Sequence, residues 1–239
     1  MISVSGKKWT ERKLNNRIIE KISIDNKFSY DLSKLILNRN YSLNELNELK
    51  YEFELLNPFS KNQDFLNARD LLINIIQKKG LVLIYGDYDV DGVSSVATLV
   101  NFFNYLKHPN YYLIPNRFSD GYGPNLNLIK KNLKKNTKIV IFVDCGSNSN
   151  ETINFLKREN IEVLVIDHHH IKNKLDSKLN IINPMKNPKE YTQQNICAAA
   201  LTFYLIIILN NKLKKKINIY DFLFFALLGT ICDIMPLRY

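Results

Sequence analysis

The sequence predicts an α/β fold, a mainly parallel sheet flanked by helices, preceded by a helical N-terminal extension. Three observations predict it. From Leu81 onward, short apolar runs of strand length alternate with segments of helical periodicity, as crossover connections between parallel strands require. Before Lys79 and Gly80 the apolar residues recur only at helical spacing. Three of the four expected strands also run directly into acidic residues, at the edge where an open parallel sheet binds its ligands. These patterns divide the chain into a helical region over 1–79 and an α/β domain over 80–239.

In the first region, helical spacing covers Tyr30 to Leu37, the stretch after Ser42, and Phe65 to Ile76. Ser42, with Glu45 three residues later, has the form of a capping box and starts the second of these helices. In the second region LVLIY, residues 81–85, is a continuous apolar run, as expected of a strand covered on both faces. A helix follows over Val93 to Leu106, then a strand over Tyr111 to Ile114 and a helix over Leu126 to Leu133. A third strand spans Ile139 to Val143, a helix Thr152 to Lys157 and a fourth strand Val163 to Ile166. After Asn183-Pro184 a loop leads to two helices, about Ile196 to Leu209 and Tyr220 to Ile231, whose all-round apolar character predicts burial against the sheet or a further domain.

Composition narrows the class. With 239 residues, 46% apolar and 23% charged, the chain is neither disordered nor a disulfide scaffold. Cys145, Cys197 and Cys232 lie far apart without CxxC spacing, which points to a reducing cytoplasm and away from a thiolate zinc site. The N-terminus lacks an apolar h-region, and no apolar run reaches the roughly 20 residues of a membrane span, so a cytoplasmic protein without membrane contact is expected. The formal charge of +10 invites a polyanion, yet 26 lysines stand against 7 arginines amid abundant Asn and Ile, a bias that A/T-rich coding produces whatever the function. Charge alone leaves nucleic-acid binding and a solvated surface evenly matched.

The carboxylates are more informative. The first strand runs into Asp87-Tyr88-Asp89-Val90-Asp91-Gly92, the third into Asp144-Cys145-Gly146 and the fourth into Asp167-His168-His169-His170. Gathered at one edge, these groups would repel or neutralise one another without a cation among them, since burying an unpaired carboxylate costs several kcal/mol. Carboxylate oxygens with imidazole and no thiolate suit Mn²⁺ or Mg²⁺, with Mn²⁺ preferred. Two such ions about 3.5 to 4 Å apart, bridged by one carboxylate, acidify a shared water and brace charge developing on a phosphoryl centre. The Asp87-x-Asp89-x-Asp91 spacing imitates a calcium loop, but the twelfth position is Thr98 instead of Glu and a strand precedes it. No Gly-Lys-Ser/Thr of a Walker loop is present. Taken singly, Asp144 reads more often as a helix cap or turn residue than as a ligand, and the histidine pair as surface or satisfied core groups; their joint placement at strand ends makes the site.

GDYDVDG at 86–92, VDCG at 143–146, DHH at 167–169 and GTICDIMPL at 229–237 resemble the four motifs of the DHH phosphoesterase superfamily. Within it the chain is most similar to the RecJ family of single-strand-specific 5′→3′ DNA exonucleases, with PNRFSDGYG at 115–123, Asn183-Pro184 and the stretch from Cys197 as further context. The resemblance implies that Asp89 ligates one metal and Asp91 the other, that Asp144 bridges them, and that His168 and Asp233 complete the ligand set of the second metal. Asp87 falls at the site's edge. His169 becomes the contact to the scissile phosphate, Asp167 the group that orients that histidine, and His170 a bystander. Some superfamily members carry a His ligand four residues before the position of Asp89; Tyr85 stands there, leaving the first metal with fewer protein ligands.

The implied activity is hydrolysis of the terminal phosphodiester at a 5′ end of single-stranded DNA, yielding 5′-mononucleotides in repair and recombination alongside other repair proteins. Arg117 is the candidate for gripping a substrate phosphate, with a surface ion pair as the equal alternative; Tyr88 and Tyr122 are candidates for base stacking. RecJ-like enzymes continue into a DHH-associated and an OB-like domain, whereas this sequence stops six residues after Asp233, so a catalytic core with an exposed apolar surface near its end is expected. Two rival readings stay open: a phosphoesterase for pyrophosphate, cyclic dinucleotides or short oligonucleotides, and a curtailed module that binds nucleic acid without turnover. Oligomeric state has no signature in the sequence.

Overall fold

The computed structural model describes residues 2–8, 10, 12–49, 55–172, 176 and 178–237. The chain forms two compact units, Met1–Leu56 and Asn57–Tyr239. The first holds α1 (Asn16–Asn26), α2 (Tyr30–Asn38) and α3 (Leu43–Glu48). Each starts on a side-chain cap, from Asn15, Ser29 and Ser42 respectively. The Ser42–Glu45 capping box forms reciprocally: the Ser42 amide donates to Glu45 Oε2 at 2.7 Å and the Glu45 amide to Ser42 Oγ at 3.3 Å. Helix α1 was not among the expected helices; Ile18, Ile19 and Ile22 stand at helical spacing in it, but only Ile19 is buried.

The second unit begins before the expected joint at Lys79 and Gly80. Helix α4 (Gln63–Gln77) packs on α8 (Ala198–Leu213) and on β5 (Asn180–Ile182), burying Phe65, Ala68, Leu72 and Ile75, so it belongs with the sheet. The other elements are β1 (Leu81–Gly86), α5 (Val90–Tyr105), β2 (Asn110–Leu113), α6 (Leu126–Asn132), β3 (Thr137–Val143), α7 (Asn150–Arg158), β4 (Glu162–Ile166) and α9 (Tyr220–Cys232). All strand pairings are parallel, in the order β2-β1-β3-β4-β5. Strand β5 adds a fifth member that the sequence pattern missed, since three residues carry no periodicity.

The sheet is covered on both faces. Leu83, Tyr85, Val140, Phe142, Val163 and Val165 pack with Ile129, Ile153 and Leu156 of α6 and α7. The alternate residues, among them Val82, Ile84 and Ile141, are equally buried, with α5 and α8 lying against the strands. That double cover explains the continuous apolar run of β1. Helix α8 is buried almost all round, as its sequence predicts, but α9 is not: Phe222, Ala226 and Gly229 are buried while Tyr220, Phe224, Leu227 and Ile231 are exposed. With Ile234 and Leu237 they form the exposed apolar surface expected near the end of the sequence. Among the described residues no helix is long and apolar enough to cross a membrane.

The strand order places the functional region. The chain leaves β1 toward β2 on one side and returns to β3 on the other, so the connections after β1 and β3 diverge. Such a switch point opens a crevice beyond the strand C-termini.

Candidate metal centre

Asp87 is the first residue after β1. It is buried, its Oδ1 has no partner among the described residues, and burial raises its pKa above the ordinary carboxylate range. Asp89 caps α5, accepting the Gly92 amide at 2.9 Å, and stays exposed. Asp91 lies in the first turn of α5, where its two oxygens accept the amides of Ala198 at 2.7 Å and Ala199 at 2.8 Å. The N-terminus of α8 thus holds this carboxylate in place. Helix α9 crosses the same point through Gly229, where an added Cβ would lie 2.6 Å from both Asp91 Oδ1 and the Ala199 side chain. One turn later α9 ends in Asp233.

Asp144 follows β3 with φ of 59°, a left-handed conformation that Asp tolerates better than most residues. Its side chain is 1% exposed, and neither oxygen has a hydrogen-bond partner. Burial, together with the neighbouring Asp91 and Asp89, pushes its pKa up to about 11. His168 Nε2 stands 3.3 Å from Asp144 Oδ1, 3.4 Å from Asp233 Oδ2 and 3.8 Å from Asp91 Oδ2. The side chains therefore fall into two groups whose potential ligand atoms lie within 4.8 Å of one another: Asp87, Asp89 and Asp144, and Asp91, His168 and Asp233. Asp144 also groups with His168 and His169, which puts it between the two sets.

These donors fit a hard divalent cation. Oxygens of Asp87, Asp144 and Asp233 are buried with no hydrogen-bond partner among the described residues, a costly arrangement unless a cation sits among them. No cysteine sulfur joins these groups among the described residues, and burial raises the pKa of Cys145 and Cys197.

Asp167 and His169 are built differently. Asp167 Oδ1 accepts the amides of His168 and His169 at 2.8 and 3.1 Å and the His169 Nδ1–H at 2.8 Å, and Oδ2 accepts the Ser147 amide at 3.0 Å. Burial opposes its charge, but these bonds prevail and hold its pKa down at about 2. The same contact raises the pKa of His169. On the other side of the ring, Nε2 meets the Tyr122 hydroxyl at 3.2 Å.

Several supporting groups were not evident from the sequence. Buried Asn183 donates to Ser147 Oγ at 2.8 Å and to the His169 carbonyl at 3.0 Å, which ties the loops after β3, β4 and β5 together; the Asn-Pro step marked the position but not the partners. Tyr122, expected as a stacking residue, is exposed and places its hydroxyl against His169. Arg117 lies with its guanidinium 5.5 Å above the Tyr88 ring and has no ion pair among the described residues, so the expected pair of candidates meets face to face. The His170 side chain is exposed. Tyr85 is fully buried; its hydroxyl donates to the Gly123 carbonyl at 3.0 Å and accepts the Asn125 amide at 3.2 Å, pinning the loop that carries Tyr122. With its pKa raised to about 12 by burial, this phenol anchors the loop and takes no part in the carboxylate groups.

Comparison with known proteins agrees with this geometry. Residues 81–230 match the DHH family, N-terminal domain. The chain is 31% identical to the single-stranded-DNA-specific exonuclease RecJ of Haemophilus influenzae over 77% of this chain and 33% of that protein. For the Escherichia coli protein of the same name the identity is 27%, over 80% of this chain and 35% of the relative. This chain therefore spans about a third of the length of these curated relatives. A crystal structure of exonuclease RecJ bound to manganese superposes with a TM-score of 0.68 at 26% identity, covering 78% of this chain and 46% of that one. From the match over residues 81–230, which takes in the sheet and the acidic segments after β1, β3 and β4, the chain belongs to the DHH family and contains that family's N-terminal domain.

Proposed function

We propose that this chain is the catalytic core of a metal-dependent, single-strand-specific 5′→3′ DNA exonuclease of the RecJ type, with the α/β unit from Asn57 onward as the catalytic domain and the helices before it as an extension. It acts in the cytoplasm in repair and recombination, beside other repair proteins. The observation that carries the reading is Asp144, buried and partnerless between the two ligand groups. Asp87, Asp89 and Asp144 would hold one Mn²⁺ and Asp91, His168 and Asp233 the other. When bound, such a pair supplies a nucleophile at neutral pH and offsets charge on the phosphoryl oxygens.

The protein's own groups account for positioning. Asp167 fixes the imidazole of His169 through Nδ1, which leaves Nε2 facing the crevice where Tyr122 meets it. A phosphate oxygen arriving there exchanges for the Tyr122 contact and receives a hydrogen bond from the imidazolium. Arg117, carried above Tyr88, grips a neighbouring phosphate while the aromatic faces stack a base.

Incubating 5′-labelled single-stranded DNA with Mn²⁺, beside pyrophosphate and dinucleotides, tests the proposal. Release of 5′-mononucleotides by the wild type and none by Asp144→Ala is expected. Turnover of the small substrates alone would indicate the small-substrate phosphoesterase. No turnover, with Mn²⁺ uptake unchanged by Asp144→Ala, would indicate the binding module.

A further inference from the structure

The strand N-termini form the opposite edge of the sheet, and a groove of about 600 Å³ opens there. Its lining takes Asn74, Lys78 and Lys79 from the end of α4 and just beyond it, and Lys138 from β3, with Asn136 and Asn160. Glu162 is the one acid in the lining. None of the three ammonium groups has an ion pair or a side-chain hydrogen bond among the described residues, whereas Lys157 and Lys186 are both paired with carboxylates. The floor is fixed: the Lys138 stem lies over Gly80, and buried His108 holds the Gly80 carbonyl through Nε2 at 2.8 Å.

We infer that this groove binds the sugar–phosphate backbone of single-stranded nucleic acid at a site separate from the metal centre. A helix C-terminus favours lysines by itself, which would explain Lys78 and Lys79. It does not explain Lys138, which a strand brings into the same lining. Charges of one sign lining a cleft focus their field into it, and the volume falls within the roughly 300 to 1,000 Å³ usual for ligand sites. The lining has no aromatic ring on which a base could stack, so phosphates are the recognised groups and the asparagine amides are hydrogen-bonding partners for phosphate and sugar oxygens. Strand β3, seven residues long, separates the groove from Asp144 by about 23 Å. A strand engaged at both places must therefore be several nucleotides long, and a dinucleotide reaches only one. The inference rests on the proposed function for the class of ligand, but binding at the groove can be measured without turnover.

The test is single-stranded DNA binding by fluorescence anisotropy in EDTA over a range of salt, comparing wild type, Lys78→Gln/Lys79→Gln/Lys138→Gln, and a control triple, Lys212→Gln/Lys214→Gln/Lys215→Gln. Each phosphate contact on a single strand contributes about 0.7 to the slope of log K against log salt, so the groove variant should flatten the slope by about 2. The control should lose clearly less, and Mn²⁺ binding should be the same in all three. A slope and affinity no different from the control would overturn the inference. So would binding of inorganic tripolyphosphate with the same lysine dependence but none of DNA, which would make the groove a small-anion site. If no nucleic acid is hydrolysed in any assay, the salt slopes still decide whether the groove binds it.

Discussion

The two edges of the sheet carry opposite charge and handle it in opposite ways. At the strand C-termini, Asp87, Asp91 and Asp144 are withdrawn from water, and the first and third keep oxygens without partners. At the strand N-termini, Lys78, Lys79 and Lys138 remain solvated around an open groove. The same strands separate the two, so the difference lies in the residues gathered at each end. Buried, unpaired charge destabilises a fold unless a counter-charge joins it, whereas exposed charge costs little. Substitution at the acidic edge should therefore trade stability against metal binding, and substitution at the basic edge should leave stability alone.

The largest effect is expected at Asp144. Asp144→Asn keeps the shape and tolerates the left-handed backbone, but removes the charge. The metal-free variant should melt at a higher temperature than the wild type while its Mn²⁺ affinity falls by more than the roughly 10- to 100-fold typical of losing an outer-shell partner. A lower melting temperature would break the comparison. Next comes Asp167→Asn, which removes the acceptor holding His169; nucleotide release should slow about 10- to 100-fold with Mn²⁺ affinity little changed, in a direct hydrolysis assay. Gly229→Ala forces a methyl against the Asp91 carboxylate and Ala199, and urea unfolding should show a loss of about 1 to 3 kcal/mol.

A pH dependence follows from the same contrast. The folded pKa of Asp144, about 11, lies far above the unfolded value of about 3.9, so its stabilising protonated form is complete below pH 4 and is lost as pH rises. Asp87 and Asp233, raised by burial, and His169, raised by Asp167, act in the same direction. Asp167, held at about 2, adds stability that disappears only below pH 4. Thermal melts in EDTA should therefore show lower stability at pH 8 than at pH 5, and saturating Mn²⁺ should reverse the trend. The smallest effect belongs to the basic edge: the groove triple variant should unfold in urea within about 0.5 kcal/mol of wild type.

The acidic edge was legible because each carboxylate follows an apolar run long enough to identify as a strand, and strand polarity alone sends Asp87, Asp144 and Asp167 to one side. Asp233 was legible through its motif spelling and not through any pattern of charge. What could not be seen was tertiary. Nothing local in Asp91 says that the amides of Ala198 and Ala199, more than a hundred residues on, will hold it. Tyr85 and Tyr122 looked like a lost ligand and a stacking face, but both belong to one loop's attachment, fixed by hydroxyl contacts that have no spacing rule. The joint at Lys79 and Gly80 marked a change of periodicity, whereas α4 follows its buried face into the α/β unit. The basic edge was hidden for a different reason: its lysines are scattered in sequence among many others, and only the fold brings Lys138 into one groove with Lys78 and Lys79.

The most direct test of the central claim, that the partnerless carboxylates at the strand C-termini form a cation site, is anomalous diffraction from crystals soaked in MnCl₂. The account predicts two peaks flanking Asp144, one toward Asp87 and Asp89 and one toward Asp91, His168 and Asp233. Full occupancy elsewhere in the chain with no peak in contact with Asp144 would contradict it.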